Sequence, residues 1–170
     1  GERWPTWDSA PMVAILTIDS HALPYVPPYL QAARHHVFFV QQEPKLSSMT
    51  DDGSLVHRTY NDGVDLLPLE PPPGLDSNPL GLAFERVVDF PSVESVEAQF
   101  GRKSECSTLY RTMFESEPAE FVCHDGIKLG GYPLLIRATA FLIPLDSPYE
   151  VQIDSTDSFM WADTGIAYLG

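Results

Sequence analysis

"FERVVDFPSVESVEAQFG", residues 84–101, changes its hydrophobic period halfway along. Residues 84–90 show the alternation of a half-buried strand, whereas Val93, Val96 and Phe100 recur at helical spacing. Ser92 is a suitable N-cap and Gly101 a suitable residue just beyond the helix end. The segment therefore predicts a strand over 84–90 followed by a helix.

The next segment, "SECSTLYRTMFESEP" at 104–118, predicts a second helix. Ser104 can cap its start and Pro118 can end it. Its apolar residues fall on one side at helical spacing, which predicts a face packed in the core. That face consists of Cys106, Leu109, Tyr110, Met113 and Phe114.

Strand patterns lie on both sides of these helices. They cover 12–18, 36–41 and 55–60 on the N-terminal side, and 134–139, 149–153 and 164–169 on the C-terminal side. A proline-rich connection at 67–81, with three consecutive prolines at 71–73, is the one credible linker. Two β-rich ends around a helical middle predict an α+β fold, and we expect residues 1–170 to form a single domain.

Two strand patterns end in the same tripeptide, Ile18-Asp19-Ser20 and Ile153-Asp154-Ser155. A second strand pattern follows each of them, which favours an internal duplication into two related, mainly antiparallel halves. At a strand end, an aspartate can accept backbone N–H bonds and close the following turn. Because a catalytic acid is needed at one site rather than in each half, we interpret both aspartates as architectural.

The chain is strongly acidic, with 24 acidic and 10 basic side chains and a formal net charge of -14. Such a surface repels nucleic acid and anionic membranes and speeds encounter with cationic partners. Beyond Arg137 there is no Lys or Arg, so we expect a partner-binding patch there, formed by Asp146, Glu150, Asp157 and Asp163. Solubility is the alternative explanation of the charge.

The sequence contains no apolar run of membrane-spanning length, and its N-terminal residues do not resemble a signal peptide. Cys106 and Cys123 lack Cys-x-x-Cys spacing, and we interpret them as reduced core thiols. These features predict a cytoplasmic protein; a processed secreted product is the alternative.

Asp154, Asp157 and Asp163 could together hold Ca²⁺ or Mg²⁺, which would make the chain a metal-dependent hydrolase. The order of ligands in an EF-hand is absent, however, so carboxylates that form turns are the favoured interpretation. We therefore predict no metal and no cofactor.

Other chemical patterns are weak. His35 and His36 point to opposite faces if "HHVFFV", residues 35–40, is a strand, and Cys123 and His124 are sequence neighbours that rarely face each other. Lys128 precedes Gly130 and Gly131 without the order of a phosphate-binding loop, which favours glycines needed for positive φ. We predict that the chain is not an enzyme.

"HDGIKLGGYPLLIR" at 124–137 and "VQIDSTDSFMWADTGIAYL" at 151–169 resemble the signature of the YwqG-like family. "RWPTWDSAPMVAILTID" and "HHVFFVQQE" are similar to its N-terminal counterpart, so the resemblance covers nearly the whole chain. Ala162, Thr17 and Arg137 depart from the family pattern. The resemblance assigns structural motif positions to Asp19, Gly130, Gly131, Pro133, Gln152, Asp154, Trp161 and Gly165.

The resemblance implies an α+β fold with internal duplication and supplies no catalytic residues. Some members of this family are proposed as immunity partners of bacterial toxins, which implies a binding role. Together with the acidic charge, it predicts an inhibitor that masks a cationic protein.

Overall fold

The computed structural model describes residues 2–42, 54–63, 70–75, 80–117, 120, 122, 124, 126–132, 151–155 and 166–169. The chain divides into two compact units, Gly1–Arg86 and Val87–Gly170, called here the first and second units. The boundary follows the proline-rich connection predicted at 67–81. Each unit is described by itself.

The first unit begins with a short hairpin of β1 (Thr6–Trp7) and β2 (Ala10–Pro11). Asp8 and Ser9 form its turn, and both have positive φ, 46° and 66°. Two positive φ values give the turn a twist that matches paired strands. Trp4, just before the hairpin, is tied to Met12, just after it, because the indole N–H donates to the Met12 carbonyl at 2.7 Å.

The main sheet of the first unit has three antiparallel strands in the order β3-β4-β5. They are β3 (Val13–Asp19), β4 (His35–Val40) and β5 (Leu55–Tyr60). The sequence predicts 12–18, 36–41 and 55–60, so these three strands are confirmed to within one residue at each end. The register is irregular between Ala14 and Leu16.

The core of the first unit lies against this sheet. Leu16 and Ile18 of β3 are buried while Thr17 between them is exposed, as alternation along a half-buried strand requires. The central strand β4 buries neighbouring residues on both faces, Phe38 and Phe39. Met12 and Leu30 of the same unit are completely buried.

Two helices open the second unit, α1 (Val93–Phe100) and α2 (Glu105–Ser116). The Ser92 and Ser104 hydroxyl oxygens cap them by accepting the N–H of Ser95 and Ser107 at 3.2 and 3.1 Å. Gly101 ends α1 with φ 86°, a left-handed conformation that glycine adopts without strain. Both helices and these caps are confirmed.

The second unit also contains an antiparallel sheet in the order β6-β7-β8. Its strands are β6 (Lys128–Leu129), β7 (Val151–Asp154) and β8 (Ile166–Leu169). Val151, Ile153 and Ala167 are buried in this sheet. The strands predicted at 149–153 and 164–169 overlap β7 and β8, and the strand predicted at 134–139 lies outside the described residues.

The strand predicted over 84–90 is wrong, because these residues have no regular secondary structure. Val87 and Val88 are 44% and 74% exposed, so the alternating pattern does not bury one face. The side chain of Asp89 is instead bonded to residues around 124–132. Alternation over seven residues was not enough to specify a strand.

The predicted core face of α2 is wrong in part: Tyr110 and Phe114 are half-buried, but the other three residues are exposed. Cys106 is exposed rather than buried, and Leu109 and Met113 are 61% and 42% exposed. The inward side is therefore turned toward Ser107, which is buried, and toward Tyr110, whose hydroxyl donates to the Pro91 carbonyl at 2.7 Å.

In the described part of the chain, three antiparallel sheets and two α-helices confirm the α+β class. The internal duplication stays a prediction. Asp19 and Asp154 are the last residues of β3 and β7, and each lies opposite the first residue of the next strand, but β3 is an edge strand and β7 a central one. Among the described residues, no helix is long and apolar enough to cross a membrane.

Candidate functional site

Several residues predicted for the site lie outside the described part of the chain. They are the whole predicted partner-binding patch and three of the motif positions, namely Asp146, Glu150, Asp157, Asp163, Pro133, Trp161 and Gly165. The other predicted positions, Asp19, Gly130, Gly131, Gln152 and Asp154, are described. Asp19 lies in the first unit and the other four lie in the second.

Asp19 closes the turn after β3. Its Oδ1 accepts the His21 N–H at 3.0 Å and caps a short 3-10 helix at Ser20–Ala22. Arg34 binds the same carboxylate through two nitrogens, Nε to Oδ1 and Nη2 to Oδ2, each at 3.1 Å. Arg34 Nη1 also reaches Asp62 Oδ1 at 3.1 Å.

This arrangement keeps Asp19 ionised. The hydrogen bonds from Arg34 lower the pKa of the Asp19 carboxyl, and the His21 N–H lowers it further. The two carboxylates raise the pKa of Arg34 in turn. Asp19 therefore holds no proton to donate near neutral pH and ties the end of β3 to the chain that leads into β4.

Asp154 is the last residue of β7, as Asp19 is the last residue of β3. Its Oδ1 accepts the Ser155 N–H at 2.8 Å, the type of turn contact expected for a carboxylate at a strand end. Gln152, two residues earlier, is completely buried and donates from Nε2 to the Gly126 carbonyl at 3.2 Å. Both side chains bond to neighbouring backbone.

A carboxylate that the sequence did not single out organises the Gly130-Gly131 loop. Asp89 Oδ2 accepts hydrogen bonds from the Tyr132 N–H at 2.8 Å and from Lys128 Nζ at 3.0 Å. Asp89 Oδ1 accepts a hydrogen bond from the His124 N–H at 3.0 Å. Lys128 also donates to the Tyr132 carbonyl. We call this set of groups the Asp89 clamp.

The clamp explains the two glycines. Gly130 and Gly131 have φ of 76° and 88°, the positive values that the sequence predicts. A Cβ on Gly131 would lie 2.6 Å from Asp89 Oδ2. The carboxylate can therefore approach this closely only because residue 131 has no side chain. Tyr132 is 37% exposed and is held by the clamp through its backbone.

Two histidines form a pair in the first unit. His36 is completely buried, and its Nε2 lies 3.1 Å from the Leu30 carbonyl and 3.0 Å from the Ala33 carbonyl. His36 Nδ1 lies 3.1 Å from His57 Nε2. The pair is 21 residues apart in sequence and meets only through the β4–β5 register, so sequence spacing gave no signal of it.

The two carbonyls place a proton on His36 Nε2, because a carbonyl only accepts hydrogen bonds. When both rings are neutral, His36 Nδ1 therefore accepts a hydrogen bond from the His57 Nε2–H group. Burial lowers the pKa of His57, and the neighbouring His36 lowers it further. The His57 ring also stacks on Phe38, with ring centroids 4.2 Å apart.

The outward side of α2 differs from these clusters. Glu105, Leu109, Met113 and Glu117 are all exposed and follow one another at intervals of four residues. We call this line of side chains the α2 row. Among the described residues no ion pair forms with Glu105 or Glu117, so the row presents two apolar side chains between two free carboxylates.

The described residues contain no group of three or more His, Cys, Asp or Glu side chains placed to hold a metal ion. Within each of the Asp19, Asp89 and His36 clusters, the polar side-chain atoms bond to other members of the same cluster and to nearby backbone groups. The α2 row, by contrast, directs its side chains at solvent. No family model, no curated protein and no solved structure matches the chain.

Proposed function

We propose that the chain is a cytoplasmic binding protein that masks a cationic protein partner, in the manner of an immunity protein that inhibits a bacterial toxin. The observation that carries this proposal is the unbalanced negative charge of both units. Residues 1–86 contain 11 acidic and 5 basic side chains, and residues 87–170 contain 13 and 5.

At least half of the ten basic side chains are engaged in ion pairs within the chain, so few cations stand free to repel a basic partner. Those that pair with carboxylates of the same unit are Arg34, Arg58, Arg102, Arg111 and Lys128. The exposed carboxylates that remain produce a field that attracts a basic surface from a distance and repels nucleic acid.

A toxin that acts on nucleic acid needs a basic groove to hold phosphates. An acidic protein that covers the groove competes with the substrate through the same charges. The resemblance to the YwqG-like family supports this type of inhibitor.

The test is capture of the partner from the source cells with the tagged chain, identification by mass spectrometry, and surface plasmon resonance with the purified partner. We expect a basic partner whose association rate falls at least about tenfold between roughly 50 and 200 mM salt. Asp157→Asn with Asp163→Asn should lower the on-rate more than it raises the off-rate.

Glu70→Gln with Glu85→Gln is the matched control, because it removes two charges from exposed positions of the first unit. An on-rate that does not depend on salt, or a partner with an acidic contact face, would contradict the proposal.

Calorimetric titration with Ca²⁺, Mg²⁺, Mn²⁺ and Zn²⁺ tests the hydrolase alternative. We expect no stoichiometric binding, since the spacing of Asp154, Asp157 and Asp163 suits turns. One tight site that Asp157→Ala abolishes would favour the hydrolase instead.

A further inference from the structure

We propose that the α2 row is the docking surface for the partner, and that it fits a basic segment with apolar side chains between two cationic groups. This inference rests on the proposed function and deepens it by naming the surface. The row runs in the order Glu105, Leu109, Met113 and Glu117, so both apolar residues lie between the carboxylates.

The apolar part of the row is a usable anchor. Residues four apart on a helix lie on one side, so Leu109 and Met113 form one continuous contact area about 6 Å long. Apolar groups rimmed by polar ones mark interaction sites more often than scattered exposed residues do. Cys106, also exposed, lies one turn before Leu109 and extends the area.

The threonine hydroxyls beside the row donate to helix carbonyls rather than to solvent. Thr108 and Thr112 donate their hydroxyl protons to the carbonyls of Ser104 and Thr108, both at 2.9 Å. Because these protons are used within the helix, a partner that covers this side leaves no threonine donor unsatisfied.

The two carboxylates of the α2 row favour a cationic partner. Glu105 is the first residue of α2 and Glu117 caps its end twelve residues later, so their backbones lie about 18 Å apart at a rise of 1.5 Å per residue. A partner with Lys or Arg at that spacing would neutralise both carboxylates while its apolar side chains cover Leu109 and Met113. A second copy of this chain would place carboxylate against carboxylate, and an anionic membrane would be repelled in the same way.

The first test uses a synthetic helical peptide with two central leucines and lysines about 18 Å apart, and a counterpart with glutamate in place of lysine. Binding is measured by fluorescence anisotropy of the labelled peptides. We expect the lysine peptide to bind and the glutamate peptide not to. Equal binding of the two peptides would overturn the proposal.

Variants then locate the contact. Leu109→Ala with Met113→Ala should weaken binding of the lysine peptide at least about tenfold, since anchor residues dominate interfaces. Glu105→Gln with Glu117→Gln should weaken it and flatten its salt dependence. Leu82→Ala, at a residue 49% exposed in the first unit, and Glu70→Gln with Glu85→Gln are the controls, and we expect changes within about twofold.

A reporter gives an independent location. In a Cys123→Ser chain, an environment-sensitive fluorophore on Cys106 should shift to the blue when the lysine peptide is added and stay unchanged with the glutamate peptide. No shift at saturating lysine peptide would contradict the assignment of the site to α2.

The captured partner separates this inference from the proposed function. If the partner binds with the expected salt dependence and the α2 variants bind it as tightly as the wild type, the docking surface is wrong and the proposed function stands. If the lysine peptide maps to α2 and the captured partner is acidic, the proposed function is wrong and the docking surface stands.

Discussion

Asp19 in the first unit and Asp89 in the second each accept hydrogen bonds from a cationic side chain and from backbone N–H groups. They differ in their contact with water: the Asp19 side chain is 34% exposed and that of its partner Arg34 is 37% exposed, whereas Asp89 and Lys128 are 9% and 8% exposed. Water can replace a partner lost at Asp19. At Asp89 it cannot do so without opening the clamp.

Because they differ in exposure to water, the two ion pairs should contribute differently to stability. An exposed pair fixes local geometry and contributes little to stability, because solvent screens it. A nearly buried pair must keep both members, since either charge alone would remain desolvated. The measurements below test this contrast, from the largest expected effect to the smallest.

Asp89→Ala should have the largest effect. It leaves the Lys128 ammonium nearly buried without its carboxylate and removes the acceptor of two backbone N–H groups, so we expect a loss of about 3–5 kcal/mol in the free energy of unfolding. Chemical denaturation measures this loss. Adding Lys128→Met to Asp89→Ala should cost less than the sum of the two single changes; strict additivity would contradict the clamp.

Gly131→Ala should come next, at about 1–3 kcal/mol, because the residue has φ 88° and its Cβ would press on Asp89 Oδ2. Gly130→Ala is the matched control: its φ is 76°, but nothing lies within 4 Å of the added Cβ. The difference in unfolding free energy between the two variants isolates the contact with Asp89. Equal destabilisation would mean that backbone strain alone explains both glycines.

Asp19→Asn should have a smaller effect, and one that depends on pH. The folded pKa of Asp19 lies below its ordinary value of 3.8, so the stabilisation is fully present above about pH 3.8 and is lost as pH falls through the lowered value. Thermal melting of wild type and variant should therefore converge in acid. A gap between the two that stays constant across this range would argue against the Arg34 contact.

The histidine pair should give the smallest effect, also seen as a pH dependence. The folded pKa of His57 is lowered from 6.5, so the unfolded chain binds the proton more readily. Stability should fall as pH drops below about 6.5, down to the lowered pKa, and level off beyond it. His57→Phe keeps the stacking on Phe38 and removes this slope in melting temperature; an unchanged slope would assign it to another group.

The parts of the fold that could be predicted from sequence are those with local causes. Ser92, Ser104 and Gly101 act within one turn of the helices they begin and end, so their spacing was sufficient. The strands of the first unit were equally clear, because apolar β-branched and aromatic residues cluster in short runs.

The features that sequence missed depend on partners far along the chain. Asp89 reaches Tyr132 across 43 residues, and His36 meets His57 across 21. The face of α2 was only partly predicted for a related reason: Tyr110 contacts the Pro91 carbonyl, 19 residues earlier, whereas Leu109 and Met113 on the same predicted face stay exposed. Periodicity identifies candidate faces but does not choose between them.

The 43-residue span of the Asp89 clamp also bears on the order in which the chain folds during synthesis. Closing that loop costs about 1 kcal/mol more chain entropy than joining Asp19 to Arg34, which are 15 residues apart. A ribosome adding about 5–20 residues per second needs about 2–9 s to extend the chain from Asp89 to Tyr132. We therefore expect the first sheet and the helix pair to form on the nascent chain while Asp89 is still hydrated, and the clamp to close late.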